Sequence, residues 1–355
     1  MNALPSCTDY ITSIETPQLI KADELQGGDV VRKNGKPLRY AGGFCVVFPY
    51  MQSSGKKVAV RCWTAHVPDA DKRSRCISQS LSKSGLPYFV GFEYIDAGIA
   101  TSLGVFPIVI MDWVNALPLK VYLKKHLNDS TALKKLAADF KTMTSDLHGA
   151  QFSHGDLQHG NIMVTDNGQL FLVDYDSMFV PGLENVTDEI KGLAGYQHPG
   201  RAKIKYLSPK ADYFSELIIY TSILAIAKYP RLWDSLDMED TETLLLSQED
   251  LDNPQQSAIL RELKQDNELF DCVIAIEKAL QESDVENLLP LEEAVISQSK
   301  KIIGGLQGKW NQPRAKTEPE AKIDIDGLCD KWKRKPHIEE VQSVDVAPIV
   351  NKWRK

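Results

Sequence analysis

Apolar and polar positions along the chain form short strand-like runs in the first third and longer helical stripes thereafter. Leu38 to Tyr50 is strand-rich and carries the glycine pair Gly42-Gly43; Gln52 to Lys57 is polar and turn-forming; Val58 to Trp63 is again strand-like. Residues 69–84 are mostly polar, with Cys76, Ile77 and Leu81 at helical spacing, which predicts a short helix. Tyr88–Ile95 and Phe106–Trp113 are two further runs rich in β-branched and aromatic residues. The predicted order is strand, strand, helix, strand, strand.

From Thr131 to Leu147 the pattern turns helical, with Leu133, Leu136, Ala137, Phe140, Met143 and Leu147 on one stripe. Leu217 to Ala227 is the longest apolar region, interrupted by Tyr220, Thr221 and Ser222, and reads as a buried helix within a largely helical stretch that runs to about Leu289. From about Gly304 the composition becomes polar and charged with scattered prolines, which predicts a tail. Residues 1–34 mix turns with short apolar pieces and predict no particular element.

Between the two helical regions lies the segment with chemistry in it. Ile162-Met163-Val164, the turn residues Asp166-Asn167-Gly168 and Leu170-Phe171-Leu172-Val173 spell a β-hairpin. Just before it stands His154-Gly155-Asp156-Leu157-Gln158-His159-Gly160-Asn161, and just after it Asp174-Tyr175-Asp176. A hairpin with Asn161 at its entrance and Asp174 at its exit brings two acids and an amide together. Such a set can hold metal ions on a nucleotide and handle a substrate hydroxyl.

These residues resemble the catalytic loop and metal loop of protein kinases, H-x-D-L-x-x-x-N followed by the D-F-G position. The resemblance extends in order over roughly residues 35–300. Tyr40 to Val47 is similar to the glycine-rich loop G-x-G-x-x-G-x-V, retaining only its middle glycine at Gly42. Val58-Ala59-Val60-Arg61 looks like the strand ending V-A-I-K. Ile108 to Val114 resembles the strand and hinge between lobes, Tyr196 to Pro199 the end of an activation segment, and Asp212 the helix aspartate that braces the catalytic loop. Taken singly, a glycine pair is an ordinary turn and Asp212 a helix N-cap. Their common order carries the likeness.

The resemblance implies an α+β, two-lobed fold: a small antiparallel sheet lobe with one helix over residues 35–114, a mainly helical lobe over 115–303, and a tail over 304–355. It further implies ATP and Mg²⁺ as cofactors. Asp156 would orient the acceptor hydroxyl, and Asn161 and Asp174 would hold the metal. Gly42, Gly43 and Arg61 would meet the phosphates. Val47, Ala59, Met111 and Met163 would enclose the adenine, whose edge would meet backbone groups of Asp112 and Val114. The implied activity is transfer to serine or threonine of a protein substrate. The alternatives are a pseudokinase-like nucleotide-binding scaffold and a small-molecule kinase of the aminoglycoside/choline type, whose loops also read H-G-D.

The chain departs from the pattern in several places. Arginine replaces lysine at Arg61, a swap that changes both size and geometry. The helix at 69–84 has acids only at its start, Asp69 and Asp71, so the usual Lys–Glu pair is missing on both sides; Glu93 is the substitute partner the sequence offers. Gly155 stands where an arginine often grips a phosphorylated segment, Gln158 where serine/threonine kinases carry lysine, Tyr175 where phenylalanine is usual, and Asp176 where glycine is. The last change costs backbone freedom and predicts a loop that flips less readily.

Composition narrows the setting. The chain has 355 residues, 43% hydrophobic and 25% charged, which is ordinary for a globular protein. A net charge of −7 argues against a nucleic-acid partner. No apolar run approaches the roughly 20 residues that span a bilayer, and Met1 to Tyr10 shows no secretory pattern. Six dispersed cysteines fit reduced thiols in a cytoplasmic protein. In the tail, Lys309-Trp310, Lys331-Trp332 and Lys352-Trp353 recur at spacings of 22 and 21 residues; they read equally as anchors for a partner protein or as residues that fold back and pack on the lobes.

Overall fold

The computed structural model describes residues 3–42 and 44–295. Gly43, the tail from 304 and its three Lys-Trp pairs lie outside the described residues. The fold is α+β, with an antiparallel sheet lobe followed by a mainly helical one, consistent with the two-lobed kinase-like architecture.

The small lobe begins earlier than residue 35. It opens with α1 (Cys7–Ile14), started by a capping box in which Ser6 Oγ accepts from Asp9 N and Asp9 Oδ2 accepts from Ser6 N at 2.8 Å. Short strands follow: β1 (Asp29–Val30), β2 (Arg32–Lys33), β3 (Lys36–Pro37) and β4 (Tyr40–Ala41). The long elements are β5 (Cys45–Met51), β6 (Lys57–Trp63), α2 (Ala70–Ser84), β7 (Phe92–Thr101) and β8 (Gly104–Asp112). The main sheet has the order β1-β5-β6-β8-β7, with β4 also paired to β5.

Because side chains alternate along a strand, this sheet has two chemically distinct faces. The outer face presents Val46, Phe48, Tyr50, Val58, Val60, Ile108 and Ile110, which form one core with Tyr10, Ile14, Leu25 and Val30. Tyr10 is fully buried and donates to Trp63 O at 3.1 Å. Residues upstream of 35 therefore complete the small lobe. An eight-residue helix with so few apolar positions gives little periodicity to read. The inner face carries Val47, Ala59, Arg61, Val109 and Met111, as the pairs Val47↔Arg61, Arg61↔Val109 and Ala59↔Met111 require.

The large lobe contains β9 (Leu117–Pro118), α3 (Leu119–Lys125), α4 (Ser130–Gly149), β10 (Ile162–Val164) and β11 (Leu170–Leu172), then α5 (Tyr213–Lys228), α6 (Leu232–Ser235), α7 (Gln248–Asp252), α8 (Ala258–Leu263) and α9 (Phe270–Gln281). Helix α4 buries the stripe its sequence predicts, Leu133 to Leu147, and is capped by Asp129 Oδ1 on Ala132 N at 2.9 Å. Helix α5 is buried on nearly all sides, as its continuous apolar sequence requires. The β10–β11 hairpin pairs Ile162↔Leu172 and Val164↔Leu170, and Gly168 takes the left-handed position of its turn at φ +85°. The lobes are joined by a parallel bridge between Phe89 and Leu172, with Leu172 N donating to Tyr88 O at 2.7 Å. Among the described residues no helix is long and apolar enough to cross a membrane.

Candidate active site

The loop from His154 to Asn161 connects α4 to β10, and a buried aspartate fixes its backbone. Asp212, 1% exposed just before α5, accepts hydrogen bonds from His154 N and, at 2.9 Å, from Gly155 N. Burial pushes its carboxyl above the usual carboxylate range, against the nearby charge of Arg201. The His154 ring is then placed by two bonds that define its tautomer. Nε2 donates to Val173 O at 2.9 Å, and Nδ1 accepts from Asp156 N at 3.3 Å.

Asp156 and Asn161 meet directly. Asn161 Nδ2 donates to Asp156 O at 2.7 Å and to Asp156 Oδ2 at 3.0 Å. The other carboxylate oxygen, Oδ1, accepts from Leu193 N at 2.9 Å. The hairpin brings the second acid to the same place, since Val173 N donates to Asn161 O at 3.0 Å immediately before Asp174. Asp174 itself is left-handed, φ 69° and ψ 74°, a conformation that aspartate tolerates better than most side chains but that still stores strain. Asp156, Asn161 and Asp174 are thus gathered at one end of the hairpin. The amide nitrogen of Asn161 is thus committed to Asp156. Among the described residues no three His, Cys, Asp or Glu side chains form a metal-holding group. One carboxylate and one amide oxygen suit Mg²⁺, which keeps much of its water shell.

The departures from the kinase pattern have local physical causes. Tyr175 is buried, with its ring against Phe89 and Phe92 at centroid distances of 5.8 and 5.4 Å. Its hydroxyl, held protonated by burial, donates to Leu172 O at 2.7 Å and accepts from Val90 N at 2.9 Å. A phenylalanine would leave that interior N–H without this partner. Gly155 has φ +77°, and a Cβ there would lie 2.0 Å from Ser177 O. The loop therefore excludes arginine, and every other side chain, at this position.

Asp176 forks onto Arg61, with Oδ1 accepting from Nη1 and Oδ2 from Nη2 at 2.5 Å. Arg61 is 5% exposed; burial opposes its charge, but Asp176 above all holds it firmly protonated. The acid that pairs with Arg61 is therefore Asp176 and not Glu93. Glu93 pairs in register with Ile110, an outer-face residue, and so lies on the opposite side of the sheet from Arg61. The sequence held a signal for the true pair: two departures of opposite charge, arginine for lysine and aspartate for glycine. Helix α2 contributes a cation instead of an acid, Arg73 Nη2 donating to Asp176 O at 2.6 Å.

The residues expected around the nucleotide divide as follows. Val47, Ala59, Arg61 and Met111 share the inner face of the small sheet, and Met163 is a buried residue of β10 paired with Phe171 and Pro118. Gly42 closes the β4–β5 turn, donating to Cys45 O at 2.8 Å. The Asp112 N–H is committed to Gly91 O at 3.0 Å and its carboxylate to Lys56 at 2.5 Å, so its carbonyl is the backbone group to consider for an adenine edge. Val114, partly buried, follows β8 in the segment between the lobes.

The segment opposite the loop is tied down by its own bonds. Asp188 and Arg201 form an ion pair, with side chains 2% exposed, at 3.0 Å. The Tyr196 hydroxyl bridges His159 Nδ1 at 2.7 Å and Leu244 N at 2.9 Å. Gly195 N donates to Gln248 Oε1 at 2.7 Å. Sequence reasoning missed the Leu193 N–H contact to Asp156, which carries no side-chain signature.

No protein-family model matches the chain. The chain is similar to a probable serine/threonine-protein kinase, FPV212, of fowlpox virus (strain NVSL), with 27% identity over 141 residues. That match covers 39% of this chain and 41% of the viral protein's length. Both the partial likeness and the α+β two-lobed architecture point toward the kinase-like superfamily.

Proposed function

We propose that the chain is an ATP-dependent protein kinase that transfers phosphate to serine or threonine hydroxyls. The observation that carries this reading is the joining of Asp156 to Asn161 at 3.0 Å, with Asp174 delivered to the same end of the hairpin by the Val173–Asn161 bond. Phosphoryl transfer asks a protein mainly for positioning and for neutralisation of phosphate charge. Asp156 is buried and fixed on one oxygen by Leu193 N and on the other by Asn161, so its orientation is set before an acceptor arrives. It orients the acceptor hydroxyl and takes its proton as the oxygen bonds to phosphorus and ADP leaves. Asn161 and Asp174 would hold Mg²⁺, which when bound neutralises charge on the phosphate oxygens. Arg61 meets the phosphates from the small lobe, and Val47, Ala59 and Met111 form the apolar side of the adenine site.

Two features support a protein acceptor over a small metabolite. The segment ending in Tyr196–Pro199 is anchored to α5 through Ser215 Oγ on Tyr196 O at 2.9 Å, and Asp212 braces the loop as in the protein kinases the sequence resembles. Gly155, the residue that suggested small-molecule kinases, is accounted for by the approach of Ser177. A scaffold that binds nucleotide without transfer is the second reading, and the engagement of Arg61 by Asp176 favours it. The test is incubation of the purified chain with labelled ATP, Mg²⁺ and generic protein substrates beside Asp174→Asn and Asp156→Ala variants. Label on protein serine or threonine with wild type only is the expected result; ATP binding without transfer to any acceptor would establish the scaffold.

A further inference from the structure

Resting on that reading, we infer that Asp176 is the positioning residue for Arg61. It supplies from the metal loop the carboxylate that helix α2 does not provide. A guanidinium that is 5% exposed needs a partner to remain in place, and Arg61 has one carboxylate on both of its Nη atoms. No acid of α2 serves it, because the helix carries only Asp71, with Asp69 as its N-cap, and Asp71 accepts from Tyr94 OH at 2.9 Å. The helix instead extends Arg73 to the Asp176 carbonyl, so helix, loop and strand are tied at one residue.

The consequence is a coupling that neither substitution would produce alone. Asp174 and Asp176 sit two residues apart, and between them Tyr175 is sunk among Phe89, Phe92 and Val90. One three-residue turn therefore sets both the acid proposed for the metal and the direction of the cation proposed for the phosphates. Swinging the turn outward would strip Arg61 of its counter-charge, so loop placement and cation placement are one event. The fork also leaves a donor in reserve. Among the described residues Arg61 Nε is buried without a hydrogen-bond partner, a costly state that an arriving phosphate oxygen would relieve.

The test compares affinities of the full chain for ATP with Mg²⁺ and for adenosine, measured by calorimetry. Adenosine has the base but no phosphates, so a residue that only keeps the loop folded would affect both ligands. Asp176→Asn and Arg61→Gln are each expected to weaken ATP by about tenfold or more, with adenosine changed by less than about twofold. The double variant is expected to be no weaker than either single one, and Asp176→Glu to recover part of the affinity. Glu93→Gln is expected to change neither ligand. Wild-type affinity for ATP in Asp176→Asn, or equal losses for ATP and adenosine, would overturn the inference alone. A wild-type chain that binds neither ligand would overturn the kinase reading, and the inference with it.

Discussion

Ser177 O occupies the space into which any side chain at Gly155 would have to grow, 2.0 Å from the place of its first carbon. The glycine of the 154–161 loop and the turn that follows Asp174 are thus in backbone contact, and each limits the other. Gly155→Ala is expected to lower stability by at least about 2 kcal/mol and to abolish the proposed phosphoryl transfer, because a backbone atom cannot move aside as a flexible side chain can. Gly85→Ala is the control: its φ is also positive, +64°, but nothing among the described residues lies within 4 Å, so only the backbone cost of about 1 kcal/mol applies. Urea denaturation of both variants separates clash from conformation, and equal losses would dismiss the contact.

Tyr175→Phe removes one hydroxyl and leaves the ring in its apolar site. The Val90 N–H then loses its acceptor in the interior, and a loss of roughly 1–3 kcal/mol is expected by denaturation. Hydrogen exchange at the Val90 amide gives the local readout, with faster exchange expected in the variant. Unchanged exchange would contradict the role assigned to the hydroxyl.

His148 predicts a pH dependence that acts through α5, the helix that Asp212 precedes. Its Nε2 meets Glu216 at 2.8 Å and its Nδ1 meets Glu292 at 3.1 Å. Burial disfavours its charge, but the hydrogen bond and charge of Glu216, then those of Glu292, push its pKa up to about 9. The folded state therefore holds a proton that the unfolded state, with a pKa of 6.5, releases first. Stability from this group is complete below pH 6.5 and is lost as the pH rises to about 9, by roughly 1–3 kcal/mol. Denaturation curves of wild type and His148→Gln across that window should differ in slope, and parallel slopes would refute the assignment.

Tyr10 tests whether the N-terminal helix belongs to the small lobe. Tyr10→Ala empties a fully buried site against the outer face of the sheet and is expected to cost about 3–5 kcal/mol. Tyr10→Phe loses only the bond to Trp63 O and is expected to cost about 1 kcal/mol. A small loss in Tyr10→Ala would mean that α1 is dispensable to the sheet.

Much of the architecture was legible because periodicity and local turn chemistry act over a few residues. The α4 stripe, the buried α5, α2 with Cys76, Ile77 and Leu81, and the hairpin turned at Gly168 all declare themselves within short windows. The loop His154–Asn161 was legible for the same reason, since Asp156 and Asn161 are five residues apart and meet through one side chain. Helix α1 was not legible, because its apolar residues gain meaning only from a sheet formed later in the chain.

The sequence by itself determined the order of elements and the cluster of polar residues around one hairpin, since both depend on neighbours along the chain. Only the tertiary structure decided which acid meets Arg61. The alternation of side chains across β6, β7 and β8 turns Glu93 away and leaves the inner face open to Asp176, a residue 115 positions distant. Strand parity is fixed by pairing between segments, and no local window contains it.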